Sequence, residues 1–253
     1  MDAASVVAVS GRSRNNSGKM VKRHTRVLTL LAFGLACQRL TALSGAEATG
    51  FSPAVQAWLD AQTNVTTWAA DFVQTRYLKT LKQPLTSTGQ VWFAAPGMFR
   101  WELGKPVQSI AIRATNEVVL LYPRLKRAEK YALDENRKGP WREALALLEA
   151  GFPQDREQLE KQFEILSQDT IGPALHIHLR PKAASARALM SQITIAVNIE
   201  QQQLLSTELT FADGSRMRND FSRQELNPLA DPEVFSAAVP AGYTVSEPLK
   251  NRR

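Results

Sequence analysis

The sequence predicts an α+β, β-dominated protein built on one antiparallel sheet that must curl or close. Three observations carry that reading. From residue 66 onward the hydrophobic pattern runs with period two in one short segment after another. Turn residues separate those segments at short intervals, among them Pro96-Gly97, Gly104-Lys105-Pro106 and Asp213-Gly214. Helical periodicity is confined to a few stretches, so helices cover only part of the sheet. A flat sheet of so many strands is unfavourable, which is why curvature is expected.

The elements follow in order. Ser52-Pro53 is an N-cap and first-turn pair, and Val55, Trp58 and Leu59 share one helical face, giving a helix that ends near Asn64. Strands are expected over 67–78, 89–95, 98–103, 108–114, 117–122 and 126–133. Pro140 opens a helix in which Trp141, Leu145 and Leu148 repeat at i, i+4 and i+7, and Gly151 and Pro153 stop it. A short helix around 155–161 carries Leu159. Strands then resume with Leu175, Ile177 and Leu179, and again with Ile193, Ile195, Val197 and Ile199. The segments 205–211 and 215–221 flank Asp213-Gly214, the strongest hairpin signal in the chain. Each strand reads as apolar on one side and polar on the other. A curved sheet lined with large apolar side chains and capped by helices can enclose an apolar ligand. Periodicity does not separate a filled interior from a hollow one.

Composition narrows the class. The 253 residues are 44% hydrophobic, which excludes a mainly disordered chain. The single Cys, Cys37, excludes a disulfide framework and a Cys-rich zinc site. Lys22, Arg23 and Arg26 precede an apolar run from Val27 to Ala36, and Ala46-Glu47-Ala48 closes a small-residue stretch. These are the three parts of a secretory signal peptide, with cleavage after Ala48 and Met20 as the start. The expected organisation is a signal region with an upstream extension over 1–48 and one domain over 49–253. The first 48 residues hold seven Lys/Arg and two acids. Of 31 basic and 24 acidic residues overall, 24 and 22 remain, so the domain's net charge falls from +7 to +2. A nucleic-acid-binding reading loses its basic footprint. Gly34-Leu35-Ala36-Cys37 loosely resembles a lipobox, which would instead make Cys37 a lipidated N-terminus.

The search for catalytic chemistry returns little. The chain has no nucleophile elbow, zincin motif, phosphate loop or dinucleotide fingerprint. No metal or cofactor is expected. Beyond residue 48 the histidines are His176 and His178, which share a strand face and read as an exposed surface beside Arg180. A periplasmic hydrolase would have to use one of them.

The run Gly89-Gln90-Val91-Trp92-Phe93, followed by Pro96-Gly97-Met98-Phe99-Arg100-Trp101-Glu102 and Pro106, resembles the LolA family of periplasmic lipoprotein carriers. Phe72-Val73-Gln74, Leu121-Tyr122-Pro123, Glu129-Lys130-Tyr131, Pro140-Trp141, Leu179-Arg180-Pro181-Lys182 and Val239-Pro240-Ala241-Gly242-Tyr243 match further elements in order. The resemblance implies an incomplete curved antiparallel barrel with a helical lid over an apolar cavity. It also implies a monomer that carries acylated lipoproteins from an inner-membrane lipoprotein-releasing ABC transporter (LolCDE-like) to an outer-membrane acceptor (LolB-like). The cavity would be lined by Phe72, Phe99, Trp101, Ile110, Ile112 and Leu120 from the first strands. Tyr122, Ile177, Leu179, Ile195 and Val197 would complete it. Trp141, Leu145 and Leu148 would form the lid. Ala95 stands where the family's lid-latching arginine is usual, so the latch must be made otherwise. The alternatives are a carrier of another lipid, or a lipid-anchored acceptor if Cys37 is modified.

Overall fold

The computed structural model describes residues 51–133 and 156–248. The expected signal region with Cys37 and Ala48, and the expected lid residues Trp141, Leu145 and Leu148, lie outside the described residues. Helix α1 (Pro53–Gln62) begins where expected: the Ser52 hydroxyl accepts the Val55 N–H at 3.3 Å and Pro53 occupies the first turn. It buries Val55, Trp58 and Leu59. The strands that follow are β1 (Thr67–Tyr77), β2 (Leu85–Ala94), β3 (Met98–Leu103), β4 (Ser109–Arg113), β5 (Glu117–Tyr122) and β6 (Arg127–Ala132). After helix α2 (Arg156–Gln162) come β7 (Phe163–Ile171), β8 (Ala174–Pro181), the short helix α3 (Ala184–Leu189), β9 (Met190–Asn198), β10 (Gln203–Phe211) and β11 (Arg216–Leu226). The last strand is β12 (Thr244–Ser246).

All twelve strands form one sheet in the order β12-β6-β5-β4-β3-β2-β1-β11-β10-β9-β8-β7. It is an open curved sheet with β7 and β12 at its edges, not a closed barrel. The two longest strands, β1 and β11, meet antiparallel in the middle and join two hairpin arrays. Every pairing is antiparallel except β12 with β6, which is parallel. Asp213-Gly214 makes the expected turn: Gly214 takes φ +79, and Asp213 Oδ1 accepts the Ser215 N–H at 2.8 Å.

Three elements escaped the periodicity. In β7 only Phe163 is buried; residues 166 to 171 are exposed but for half-buried Gln168, as on an edge strand. Helix α3 is too short to show a helical period. β12 contributes three residues, held by parallel backbone pairing and by the Ser246 hydroxyl, which donates to Ala128 O at 3.4 Å.

The expectation of one-sided strands fails in β4 to β6. There Ile112, Val119, Leu121 and Ala128 are buried on the face opposite the helices, beneath Ala237, Val239 and Tyr243. The chain after β11 causes this by returning across the outer face. Asn227, at φ +53, starts the return: its side-chain oxygen accepts Thr66 N–H at 2.8 Å and Thr67 N–H at 3.3 Å, and its amide donates to Asn64 O at 3.1 Å. Phe235 is buried in the turn that follows, and Arg100 donates to Val234 O at 3.3 Å.

Candidate functional site

Register assigns the side chains to faces. Pairing β1 to β6 residue by residue places Phe72, Phe99, Trp101, Leu120 and Tyr122 on one face, together with Arg113, Val118, Glu129 and Tyr131. Through β1 and β11 the same face continues to Phe221, and through β9 and β8 to Ile195, Val197, Ile177 and Leu179. This is the inner face, because α1 and α2 bury their apolar side chains against it. Ile110 and Ile112 belong to the other face. They pair with Glu102 and Arg100 and pack under the C-terminal segment. A strand exposes alternate residues to opposite sides, so neither can share a lining with Phe99 and Trp101.

The inner face divides into two parts. Over β1, β2 and β7 to β11, Phe72, Ile177, Leu179, Ile195 and Val197 are almost completely buried and touch Val55, Trp58, Leu59 and Leu159 of the helices. That part is ordinary close-packed core. Over β3 to β6, Phe99, Val118 and Tyr131 form a second cluster with Trp101, Ala111, Leu120 and Leu133. No described side chain of α1 or α2 belongs to this second cluster. Trp101 borders both clusters, half-buried. Its ring centroid lies 4.2 Å from that of Phe72. Gly89 makes this approach possible, since a methyl group there would overlap both the Phe72 ring and the Glu102 carbonyl.

Polar groups frame the second cluster. Glu129 is buried beside it and accepts the Tyr131 hydroxyl at 2.7 Å, while Arg127 pairs with the same carboxylate. Burial, followed by this hydrogen bond, pushes the Tyr131 phenol far above its ordinary value. At the opposite rim the Arg113 guanidinium lies against Gly97 of the β2–β3 turn, and burial lowers its pKa. Across the covered half, Gln74 donates to Asn219 at 3.0 Å and Asn219 to Thr207 at 3.2 Å, ending the apolar floor with a paired polar row. Among the described residues, two surface hollows of about 440 and 240 Å³ lie elsewhere: one beside the end of α1, the other on the outer face near Arg223.

Sequence reasoning singled out Phe99, Trp101, Leu120 and Tyr122 but passed over Val118, Tyr131, Glu129 and Arg113. The missing signal was cross-strand pairing. Val118 lies opposite Tyr131 and Leu120 opposite Glu129, so aligning the β5–β6 hairpin would have found both partners. His178 sits on the outer face, 3.0 Å from Thr194 Oγ1 and Gln192 Nε2 and 3.3 Å from Asp169. It is held by surface neighbours. Among the described residues no group of His, Cys, Asp and Glu is arranged to hold a metal, and no helix is long and apolar enough to cross a membrane.

The described residues form an open, curved, β-dominated sheet, and part of its apolar inner face is packed against α1 and α2. Residues 63–238 match the family model described as outer membrane lipoprotein carrier protein LolA. The chain belongs to the LolA family, whose members are carriers and not enzymes. An outer-membrane lipoprotein carrier protein of Methylococcus capsulatus is 26% identical over 225 residues, covering 89% of this chain and 97% of that protein. One from Cupriavidus pinatubonensis is 25% identical over 215 residues, covering 83% and 95%. Among solved structures, a LolA superfamily protein from Nitrosomonas europaea aligns at 11% identity and a TM-score of 0.38, covering 72% of this chain and 96% of that one.

Proposed function

We propose that this protein carries lipoproteins across the periplasm from the inner to the outer membrane, sheltering their acyl chains against the β3–β6 half of the inner face. Family membership supports the carrier role. The single structural observation in favour of this location is the apolar cluster of Phe99, Val118, Leu120 and Tyr131, which meets the helix-packed core at Trp101. Acyl chains lose about 0.8 kcal/mol per CH₂ when exposed to water, so a diffusing lipoprotein needs such a cover. Residues 20–48 would act as the export signal, removed after Ala48. Trp141, Leu145 and Leu148, in the segment that follows β6, would close over the cluster when it is empty and move aside when it is loaded. A lid of that kind lowers the energy of the empty state and weakens net affinity, which favours handover. Loading would come from an inner-membrane lipoprotein-releasing ABC transporter, and release would be to an outer-membrane acceptor, with the carrier acting as a monomer.

The direct test is to purify the protein from the periplasm and identify what is bound. Acylated lipoprotein retained by the wild type and lost in a Leu120→Ser variant of unchanged fold would support the reading. A crosslink between positions 141 and 99 should vanish on loading. Recovery of no acylated species, or a crosslink indifferent to cargo, would refute it.

A further inference from the structure

The carrier reading leaves the tip of the β1–β2 hairpin without a role. Residues 76–86 are exposed without interruption. Among them Tyr77, Leu78, Leu81 and Leu85 keep 38%, 36%, 45% and 49% of their surface in water. Four large apolar groups within nine residues is unusual for a surface that faces only solvent. Arg76, Lys79 and Lys82 are interleaved with them, and no Asp or Glu occurs between Asp71 and Glu102. The tip also projects. β3 pairs with β2 only from Gly89 onward, so residues 85–88 extend past β3. On the other side β11 supports the hairpin as far as Tyr77, which lies opposite Arg216. The Arg216 guanidinium is 4.7 Å from the Tyr77 ring centroid and adds a fourth cation. Two carboxylates are near. Glu208 pairs with Arg216 at 3.3 Å, and Asp213 accepts the Ser215 hydroxyl at 2.6 Å beside Lys79, which lies over Gly214. The cations still outnumber the acids.

We infer that this hairpin tip docks on an anionic phospholipid surface. Leu78, Leu81 and Leu85 enter the headgroup–acyl boundary, and Arg76, Lys79 and Lys82 meet the phosphates. Apolar side chains interleaved with lysine and arginine are what such an interface binds, because burial of the leucines and attraction of the cations act together. The long lysine stems let the leucines sink while the ammonium groups stay at phosphate level. A fluid surface needs no matching groove, which suits leucines spread over a projecting tip. An acidic protein would satisfy the cations but would need a shaped pocket for each leucine. The inference uses surface chemistry alone and stands whether or not the inner face holds acyl chains.

The test is vesicle flotation of the full chain, stripped of bound lipid, with phosphatidylcholine alone and with phosphatidylcholine mixed with phosphatidylglycerol. The wild type should float with the anionic vesicles and stay behind with the neutral ones, and about 1 M salt should reduce the bound fraction. Leu81→Ser should lower partitioning by about tenfold. Lys79→Glu and Lys82→Glu should each lower it by at least about fivefold. Thermal unfolding should match the wild type in all three variants, since the side chains are exposed. Failure of the wild type to bind anionic vesicles would overturn the inference, as would variants that float equally well. A tip that crosslinks to a membrane protein while binding no lipid would assign the surface to a protein partner and likewise overturn it.

Discussion

The two halves of the inner face are built from the same strand pattern and end in different states. Over β8 and β9, Ile177, Leu179, Ile195 and Val197 are sealed by α1 and α2 and make the core. Over β3 to β6, a similar alternation of apolar side chains yields a smaller cluster that includes Tyr131 and is bordered by an arginine and a carboxylate. The lesson is that an apolar strand face is only an opportunity. Which buried cluster it joins depends on what the chain lays over it, and among the described elements α1 and α2 are laid over one half.

The largest expected effect falls on the seam between the halves. Gly89→Ala should destabilise the fold by more than about 3 kcal/mol, because the added methyl meets backbone at Glu102 as well as the Phe72 ring. Urea unfolding would measure this, and a loss under 1 kcal/mol would show that the seam adjusts freely. Next comes Ile177→Ala in the sealed half, with an expected loss of about 3 kcal/mol. In the other half, the half-buried Leu120 should lose only about 1 kcal/mol on change to alanine, while cargo retention falls severalfold. Equal stability losses at Ile177 and Leu120 would break the comparison.

Tyr131→Phe sharpens it. The variant removes the hydroxyl that Glu129 accepts, at an expected cost of about 1–2 kcal/mol at neutral pH. It should also change the alkaline limb. The Tyr131 pKa is raised in the folded state, so above pH 10 the folded protein holds a proton that the unfolded chain has lost. That stabilisation is fully present below pH 10 and disappears as pH rises through the folded value. Unfolding from pH 9 to 11 should therefore show stability falling with pH in the wild type, and less steeply in the variant. Asn227→Ala is expected to act on stability alone. Loss of its bonds to Thr66 and Thr67 and its positive φ should cost about 1 kcal/mol, read as a lower midpoint with binding unchanged.

Local pattern foresaw most elements for local reasons. Ser52-Pro53 caps α1, and Asp213-Gly214 turns β10 into β11, because each depends on residues a few positions away. β7, α3 and β12 were hidden, since an exposed edge, six residues and three residues carry no period. The candidate site was half legible. Phe99 and Trp101 stood out as large residues two apart. Ile110 and Ile112 look equally apolar, yet they face the C-terminal segment.

Composition and periodicity thus determined by themselves that this chain makes a β-dominated fold with an apolar interior, because alternation and turn chemistry act within a few residues. Only the tertiary structure decided which apolar side chains joined which of the separate buried clusters. That choice rests on contacts between distant segments: α1 over β8, and the return from Asn227 across the back of β4 and β5. No spacing along the chain encodes such contacts.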